Sequence, residues 1–159
     1  ALPFPIILVL HRKSGKDDIL TNLLAGRTEM MVKEVEEKEE MLPATIYIAP
    51  PNYHLLIEND HTFSLDASEK VNFSRPSIDV TFQSAAEVFK ENIVCLLLSG
   101  ANSDGSAGLK ILKESGGAAL VQDPDSAVVS FMPESAIANV EVDAVLKSSE
   151  MSEYINNLP

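Results

Sequence analysis

The amino-acid sequence predicts an α/β fold: a mainly parallel, doubly wound sheet flanked by helices, with a small insertion of β segments in the middle. Three observations lead to this prediction. The apolar runs IILVL and IVCLLL have the length of buried strands. In the second half, such runs alternate with segments of helical apolar spacing. In the middle, short β-rich segments are separated by Pro, Asn and Asp.

The first half is predicted to contain one helix and several strands. Ile6–Leu10 is an unbroken apolar run and is predicted to be a buried strand. Asp17–Leu24 is predicted to be a short helix, because acidic residues open it and Gly26 follows its end. Glu36–Glu40 is a run of charge typical of a solvated turn. Further strands are predicted at Val32–Val35, Thr45–Ala49, His54–Ile57 and Thr62–Leu65, with a turn at Asn59-Asp60.

The second half is predicted to alternate helices with strands. Ser77 is placed to cap a helix whose apolar residues share one face, namely Ile78, Phe82, Ala85 and Phe89. A second helix ends near Ser115 at a glycine pair, and Pro133 is expected at the first position of a third. The remaining predicted elements are the strands Ile93–Leu98, Ala118–Val121 and Ala144–Leu146 and the helices Pro133–Asn139 and Glu150–Asn157.

Length and composition limit the class of protein. The chain has 159 residues, of which 45% are apolar, as expected for one folded domain, residues 1–159. It begins with ALPFPIILVL, which enters a strand with no polar lead-in, so we expect the beginning to lie in mid-domain. The net charge of −12 argues against nucleic acid and anionic membranes as partners. The lone Cys95 is expected to be a buried apolar residue. We also expect a cytoplasmic protein with no cofactor and no membrane insertion.

Two residues of catalytic type follow buried strands. His11 comes directly after PIILVL, and Asp104 lies in the glycine-rich turn SGANSDGSAG after IVCLLL. If both strands are parallel in one sheet, both side chains emerge at the same rim, where ligands bind in open α/β sheets. A carboxylate beside an imidazole fixes its tautomer and stabilises the imidazolium. The sequence therefore suggests that Asp104 orients His11.

Other interpretations of these residues remain open. Asp104 is also a common residue type for the cap of the helix that follows, and His11 can be an ordinary histidine after a strand. A glycine-rich turn before a helix can cradle phosphate, although here it holds an acid and lacks a P-loop lysine at motif spacing. His54 and His61 are interpreted as strand and turn residues with no obvious partner.

The chain offers no serine placed as a nucleophile. Ser14 lies near His11 but in a polar loop, and Ser99 and Ser103 are expected to satisfy backbone groups around Asp104. The sequence contains no G-x-S-x-G. It also shows no metal-ligand spacing, and a group of acids is interpreted as surface rather than as a cation site: Glu34, Glu36, Glu37, Glu39 and Glu40.

The catalytic-type residues belong to a longer pattern that resembles the CheB protein-glutamate methylesterase family. Residues 96–137 resemble the last third of its catalytic domain, with the motif positions Ser99–Gly105, Gly116-Gly117, Gln122 and Met132-Pro133. Three other stretches agree in order: ILVLH at 7–11, LPATIYIAPPNYHLLI at 42–57 and VNFSRPSIDVTFQSAA at 71–86.

The resemblance implies a serine hydrolase that removes γ-methyl esters from glutamates of chemotaxis receptors, and in some members deamidates glutamines. His11 matches the family's general base and Asp104 its orienting acid. The nucleophilic serine of the family is expected upstream of Ala1, in a segment this sequence does not contain. Methylated receptor helices are the implied partners, with a receiver domain or a methyltransferase as further candidates.

Two positions depart from the family pattern. Ala101 and Asn102 stand where the family has the Met and Gly of a Gly-Met-Gly turn associated with the oxyanion hole. This departure motivates an alternative function, a catalytically impaired regulatory or binding module of the same fold. The net charge does not decide the substrate, because methylated receptor helices are themselves acidic and a docking face can be local.

Overall fold

Strands and helices follow one another in the predicted order in the structure, a computed structural model that describes residues 2–12 and 18–159. The chain divides into two units, Ala1–Thr81 and Phe82–Pro159. That both units form one catalytic domain stays a prediction. Asp17, where the first helix is predicted to begin, lies outside the described residues.

The first unit holds a three-stranded parallel sheet and a separate hairpin. In the parallel sheet the central strand pairs with the other two, and the hairpin is antiparallel, which confirms the predicted β insertion. The elements are β1 (Ile6–Leu8), α1 (Ile19–Ala25), β2 (Met31–Glu34), the central β3 (Thr45–Ile48), and the hairpin strands β4 (His54–Ile57) and β5 (Phe63–Asp66). The core forms where β3 meets the hairpin: the rings of Tyr47 and Phe63 lie 4.9 Å apart, and both are almost fully buried.

The second unit is a three-stranded parallel sheet with helical crossovers. Its strands lie in the order β6-β7-β8. The elements are α2 (Ile78–Phe89), which begins in the first unit, a 3-10 turn (Lys90–Asn92), β6 (Val94–Leu97), α3 (Ser106–Glu114), β7 (Ala118–Gln122), a 3-10 turn (Pro124–Ser126), α4 (Phe131–Asn139), β8 (Ala144–Leu146) and α5 (Ser148–Asn156). Helices between parallel strands confirm the α/β prediction.

The core of the second unit lies around its central strand. Residues 119–122 of β7 are all buried, as expected for a strand covered on both faces. Leu109 and Leu112 of α3 are fully buried as well, three residues apart on one helical face. A Cβ at Gly117 would lie 2.7 Å from the Leu112 side chain, so the glycine pair permits the close packing of helix and strand.

Three predicted boundaries within the described residues differ from the structure by two residues. β1 ends at Leu8 rather than Leu10. Its last bond from β3 is donated by the Ala49 N–H to the Leu8 carbonyl, and the next donor of β3 on that edge would be residue 51, a proline with no N–H. Helix α4 begins at Phe131, so Pro133 is its third residue. A proline fits there because first-turn N–H groups lack intrahelical partners. Helix α5 begins at Ser148, where the Glu150 carboxylate accepts from the Lys147 N–H at 2.7 Å.

Within the ranges that the structure describes, no helix is both long and apolar enough to cross a membrane.

Candidate active site

His11 lies three residues beyond the end of β1 and is exposed. The parallel pairing with β3 continues past the strand, since the Ala49 N–H donates to the Leu8 carbonyl at 2.9 Å. The next residue, Arg12, anchors this segment: its Nη2 donates to the Glu34 carboxylate at 2.6 Å and to the Ala49 carbonyl at 3.1 Å. The sheet and this anchor together position His11.

Asp104 is fully buried in the turn that follows β6. Its backbone N–H donates to Oδ1 of Asn102 at 2.9 Å, so Asn102 folds the turn with its side chain. The N-cap position of α3 belongs to Gly105, whose φ of 99° is in the left-handed region, and no side chain caps it. Asp104 therefore lies one residue before the cap and does not occupy it.

The structure explains several motif positions that the sequence presented only as a pattern. The Ser99 N–H donates to Oε1 of Gln122 at 2.8 Å, joining the ends of β6 and β7. The Ser99 hydroxyl donates to the Val129 carbonyl and accepts from the Val129 N–H, as predicted for a serine that satisfies backbone groups. A Cβ at Gly100 would lie 2.0 Å from Sδ of Met132, so this position excludes larger residues.

His54 has two partners, which corrects the expectation of none. It is 1% exposed at the start of β4. The Ser77 N–H donates to Nδ1 at 3.1 Å, and Nε2 lies 2.7 Å from the Glu69 carbonyl. Because Nδ1 accepts, the proton of the neutral ring is on Nε2, where it is donated to Glu69. His54 thus joins β4 to the segment before α2.

His61 lies in the turn between β4 and β5, as predicted. Its φ of 62° is in the left-handed region, which histidine tolerates better than most residues. Ser14, the serine nearest to His11 in sequence, lies outside the described residues.

The acids at residues 34–40 lie at the surface, as predicted, and Glu39 is half-buried. Several of them form contacts within the chain. Lys33 contacts Glu39 at 2.5 Å, and this hydrogen bond raises the pKa of Lys33. The Leu65 N–H donates to Glu37 at 2.7 Å, and Arg12 pairs with Glu34. In the described part of the chain, no cluster of His, Cys, Asp and Glu could hold a metal ion.

Cys95 is buried in β6, as expected, and burial raises the pKa of its thiol to about 12. At neutral pH this thiol stays protonated, so it is not a nucleophile in the folded protein.

Comparison with known proteins identifies the family. The family model for CheB methylesterase matches residues 1–155. A putative protein-glutamate methylesterase/protein-glutamine glutaminase of Leptospira interrogans is 49% identical over 154 residues, covering 97% of this chain and 80% of that protein. The protein-glutamate methylesterase/protein-glutamine glutaminase of Thermotoga maritima is 35% identical over 159 residues, covering 98% of this chain and 46% of that protein.

A solved structure agrees with these matches. The crystal structure of the Thermotoga maritima CheB methylesterase catalytic domain aligns with a TM-score of 0.92 at 36% identity. The alignment covers 97% of this chain and 83% of that one. The family match, the sequence identity and the structural match agree over nearly the whole chain. The chain therefore belongs to the CheB methylesterase family.

Proposed function

We propose that this chain is the greater part of a protein-glutamate methylesterase domain in which His11 is the general base and Asp104 is its positioning residue. The nucleophile is a serine that we expect upstream of Ala1. The substrate is a glutamate γ-methyl ester on a chemotaxis receptor, and glutamine deamidation follows the same chemistry with ammonia as leaving group. The names of the relatives, which pair methylesterase with glutaminase, support both reactions.

One observation carries the proposal: the family match spans residues 1–155, a range that includes His11 and Asp104. In addition, both residues follow strands of parallel sheets. Asp104 is 0% exposed. In a serine-hydrolase triad the acid that orients the histidine is buried, so the burial of Asp104 supports this assignment. An exposed histidine is able to meet a protein substrate.

The proposed reaction has two steps. His11 takes the proton of the serine hydroxyl as its oxygen attacks the ester carbonyl, and the oxyanion of the tetrahedral intermediate forms. The intermediate collapses, the C–O bond to the methoxy group breaks, and methanol leaves with the proton from His11. Water then attacks the acyl-enzyme, again losing its proton to His11, which returns it to the serine as the glutamate is released.

The departures at Ala101 and Asn102 are compatible with this chemistry. An oxyanion donor is commonly a backbone N–H, which a change of side chain preserves. The Ala101 N–H donates no hydrogen bond to any other residue in the described ranges, so it is available to an oxyanion. Asn102 uses its side chain to close the turn at Asp104. The competing function, an impaired binding module, predicts the same turn without turnover.

The test is methanol release by the full-length polypeptide from a receptor fragment that carries glutamate methyl esters. We expect turnover, and labelling of one serine by a fluorophosphonate probe. Asp104→Asn should lower kcat by about 10⁴-fold with KM nearly unchanged, because the imidazole loses its orienting carboxylate. Asp60→Asn, which changes an exposed turn acid, is the matched control.

The outcomes separate the two functions. Turnover with a probe-reactive serine excludes the impaired module. A folded full-length protein that releases no methanol and reacts with no probe would exclude the esterase. If Asp104→Asn raised KM and left kcat unchanged, Asp104 would contribute to binding and not to positioning His11.

A further inference from the structure

Three positively charged side chains line one cavity of an acidic chain. The sequence has 12 Lys and Arg against 24 Asp and Glu. Three of these cations, Arg12, Lys70 and Arg75, line a cavity of about 480 Å³ that also includes His11. No carboxylate is among the described residues that line it. The cavity is therefore a local cationic site on a chain with a net charge of −12.

Two of the three cations form no ion pair with the described part of the chain. Arg12 pairs with Glu34, but the ion pairs formed between described residues include neither Lys70 nor Arg75. Lys70 is exposed. Arg75 uses Nη1 on the Ala67 and Ser68 carbonyls, at 3.0 and 2.8 Å, which are neutral acceptors. Asp66 interacts with Arg75 electrostatically at longer range, but no described carboxylate forms an ion pair with either Lys70 or Arg75.

The two arginines also keep unused donor capacity. Nε of Arg12 and Nε of Arg75 are buried and have no hydrogen-bond partner within the described ranges. A buried donor without a partner costs free energy, and such groups are rare in folded proteins. An acceptor that enters the cavity and draws the guanidinium groups toward it would lower this cost. Arginine is the residue best suited to hold a carboxylate, which it contacts with two parallel N–H groups.

A rigid turn presents an aromatic ring at the cavity. Val71 and Ser74 exchange two backbone hydrogen bonds of 3.1 and 3.0 Å, and between them Asn72 and Phe73 both have positive φ, 51° and 64°. The Asn72 side chain donates to Asp79 at 2.7 Å and ties the turn to α2. Phe73 lines the cavity yet is 97% exposed, so the turn holds a large apolar side chain in solvent.

The chemistry of the substrate fits this cavity. Each turnover of the proposed reaction converts a neutral ester or amide into a carboxylate, so a substrate with several such sites becomes more acidic as it is processed. An acidic chain repels such a substrate unless a local patch of opposite charge receives it. His11, the proposed general base, lines the same cavity.

We propose that Arg75 and Lys70, with Arg12, form a subsite for a glutamate carboxylate of the protein substrate that neighbours the ester being hydrolysed, and that Phe73 packs against the apolar side of the substrate helix. This inference rests on the proposed function, because it assumes that the ester is brought to His11. It assigns the recognition of an acidic helix to residues 70–75.

The test compares two peptides with the full-length protein. One carries a single glutamate methyl ester flanked by glutamates, and the other carries the same ester flanked by glutamines. We expect the ratio of kcat/KM for the acidic peptide to that for the neutral peptide to fall at least tenfold in Lys70→Gln and in Arg75→Gln, mainly through KM. Raising the salt concentration should lower this ratio in the parent more than in either variant.

The experiment includes a charge-removing control variant and a subsite variant that leaves the loop hydrogen bonds intact. Arg27→Gln removes an exposed charge elsewhere in the first unit and should leave the ratio unchanged. Arg75→Gln also removes hydrogen bonds to Ala67 and Ser68 and can disturb the loop, whereas no side-chain hydrogen bond or ion pair of Lys70 joins it to the rest of the described chain. A reduced ratio in Lys70→Gln therefore supports the subsite without that complication.

The outcomes distinguish a wrong subsite from a wrong proposed function. An unchanged ratio in both variants, or an equal loss on both peptides, would overturn the subsite while the esterase stands. If the parent hydrolyses neither peptide, the proposed function fails, and binding of the fluorescent acidic peptide decides the subsite. Binding weakened tenfold or more by Lys70→Gln supports it, and equal binding overturns it.

Discussion

His11 and His54 lie in the same unit, near strands of the first half of the chain, and the fold treats them in opposite ways. His54 is 1% exposed, and both of its ring nitrogens are engaged, one by the Ser77 N–H and the other by the Glu69 carbonyl. His11 is exposed and lines the cationic cavity. A histidine whose two nitrogens are occupied by the backbone has no position left for a substrate proton. Accessibility, and not residue type, therefore separates the histidine that we propose as general base from the histidine that holds the fold.

The largest expected effect is on activity and comes from His11. We expect His11→Asn to lower kcat/KM for methyl ester hydrolysis by about 10³-fold or more, since general-base catalysis is lost. Its free energy of unfolding should change by less than about 0.5 kcal/mol, as for other exposed residues. Methanol-release kinetics and urea unfolding of the full-length protein check both expectations.

The matched control for this variant is His61→Asn, because asparagine tolerates the left-handed backbone that His61 adopts. It should change neither quantity. If His11→Asn retained parental turnover, the assignment of His11 as general base would be wrong. The difference in exposure between His11 and His54 would then have no consequence for catalysis.

The next effect is on stability and comes from His54. We expect His54→Asn to lower the free energy of unfolding by about 2–3 kcal/mol, because the Ser77 N–H and the Glu69 carbonyl lose their partners and a buried ring is removed. Urea unfolding monitored by circular dichroism measures it. A loss no larger than that of His61→Asn would mean that the two hydrogen bonds contribute nothing to the folded state.

The smallest expected effect is on stability and comes from an exposed ion pair in the second unit, Lys113 with Asp143. A hydrogen bond from Lys113 at 2.7 Å, and then one from the Ala119 N–H, lower the pKa of Asp143 below its usual 3.8. Because the folded-state pKa is depressed, the pair stabilises the fold above about pH 4. The stabilisation is lost as pH falls through the depressed value. We expect Asp143→Asn to cost less than about 1 kcal/mol at pH 7.

A pH series of unfolding curves for the parent and Asp143→Asn checks this expectation. The difference in unfolding free energy between them should shrink below pH 4. A difference that stays constant down to pH 2 would show that the carboxylate charge does not contribute. In that case, the predicted order of effects on the free energy of unfolding (His54 above Asp143 above His11) would reflect only how deeply each side chain is buried.

Local patterns predicted most of the fold. The strand His54–Ile57, the strand Ala144–Leu146 and the helix after Ser77 have the predicted limits or lie within one residue of them. Apolar runs and helical spacing are properties of neighbouring residues, so the sequence displays them directly. The boundary of β1 depended on a partner distant in the chain, because the Pro51 that stops its ladder follows β3. The starts of α4 and α5 depended on residues within their own first turns.

The candidate site, like the fold, was predicted where the signal lies in neighbouring residues and missed where it depends on distant ones. The sequence pointed to His11 and Asp104, because each follows an apolar run, and to the Ser99–Gly105 turn as a motif. It did not reveal that Asn102 folds that turn or that Gly100 makes room for Met132. The short Asn102-to-Asp104 spacing is typical of a side-chain turn and was a signal available in the sequence. The contact of Gly100 with Met132 spans too many residues for any local signal.

By itself, the sequence determined the α/β class, the order of most elements, the burial of Cys95 and the resemblance to a methylesterase family. Only the tertiary structure decided that His54 is occupied by the backbone and that Arg12, Lys70 and Arg75 share a cavity with His11. The physical reason is the distance along the chain. Propensity and periodicity act over a turn or a strand, whereas these groups meet because parallel strand order and long connections bring together residues as far apart as 54 and 77, or 12 and 75.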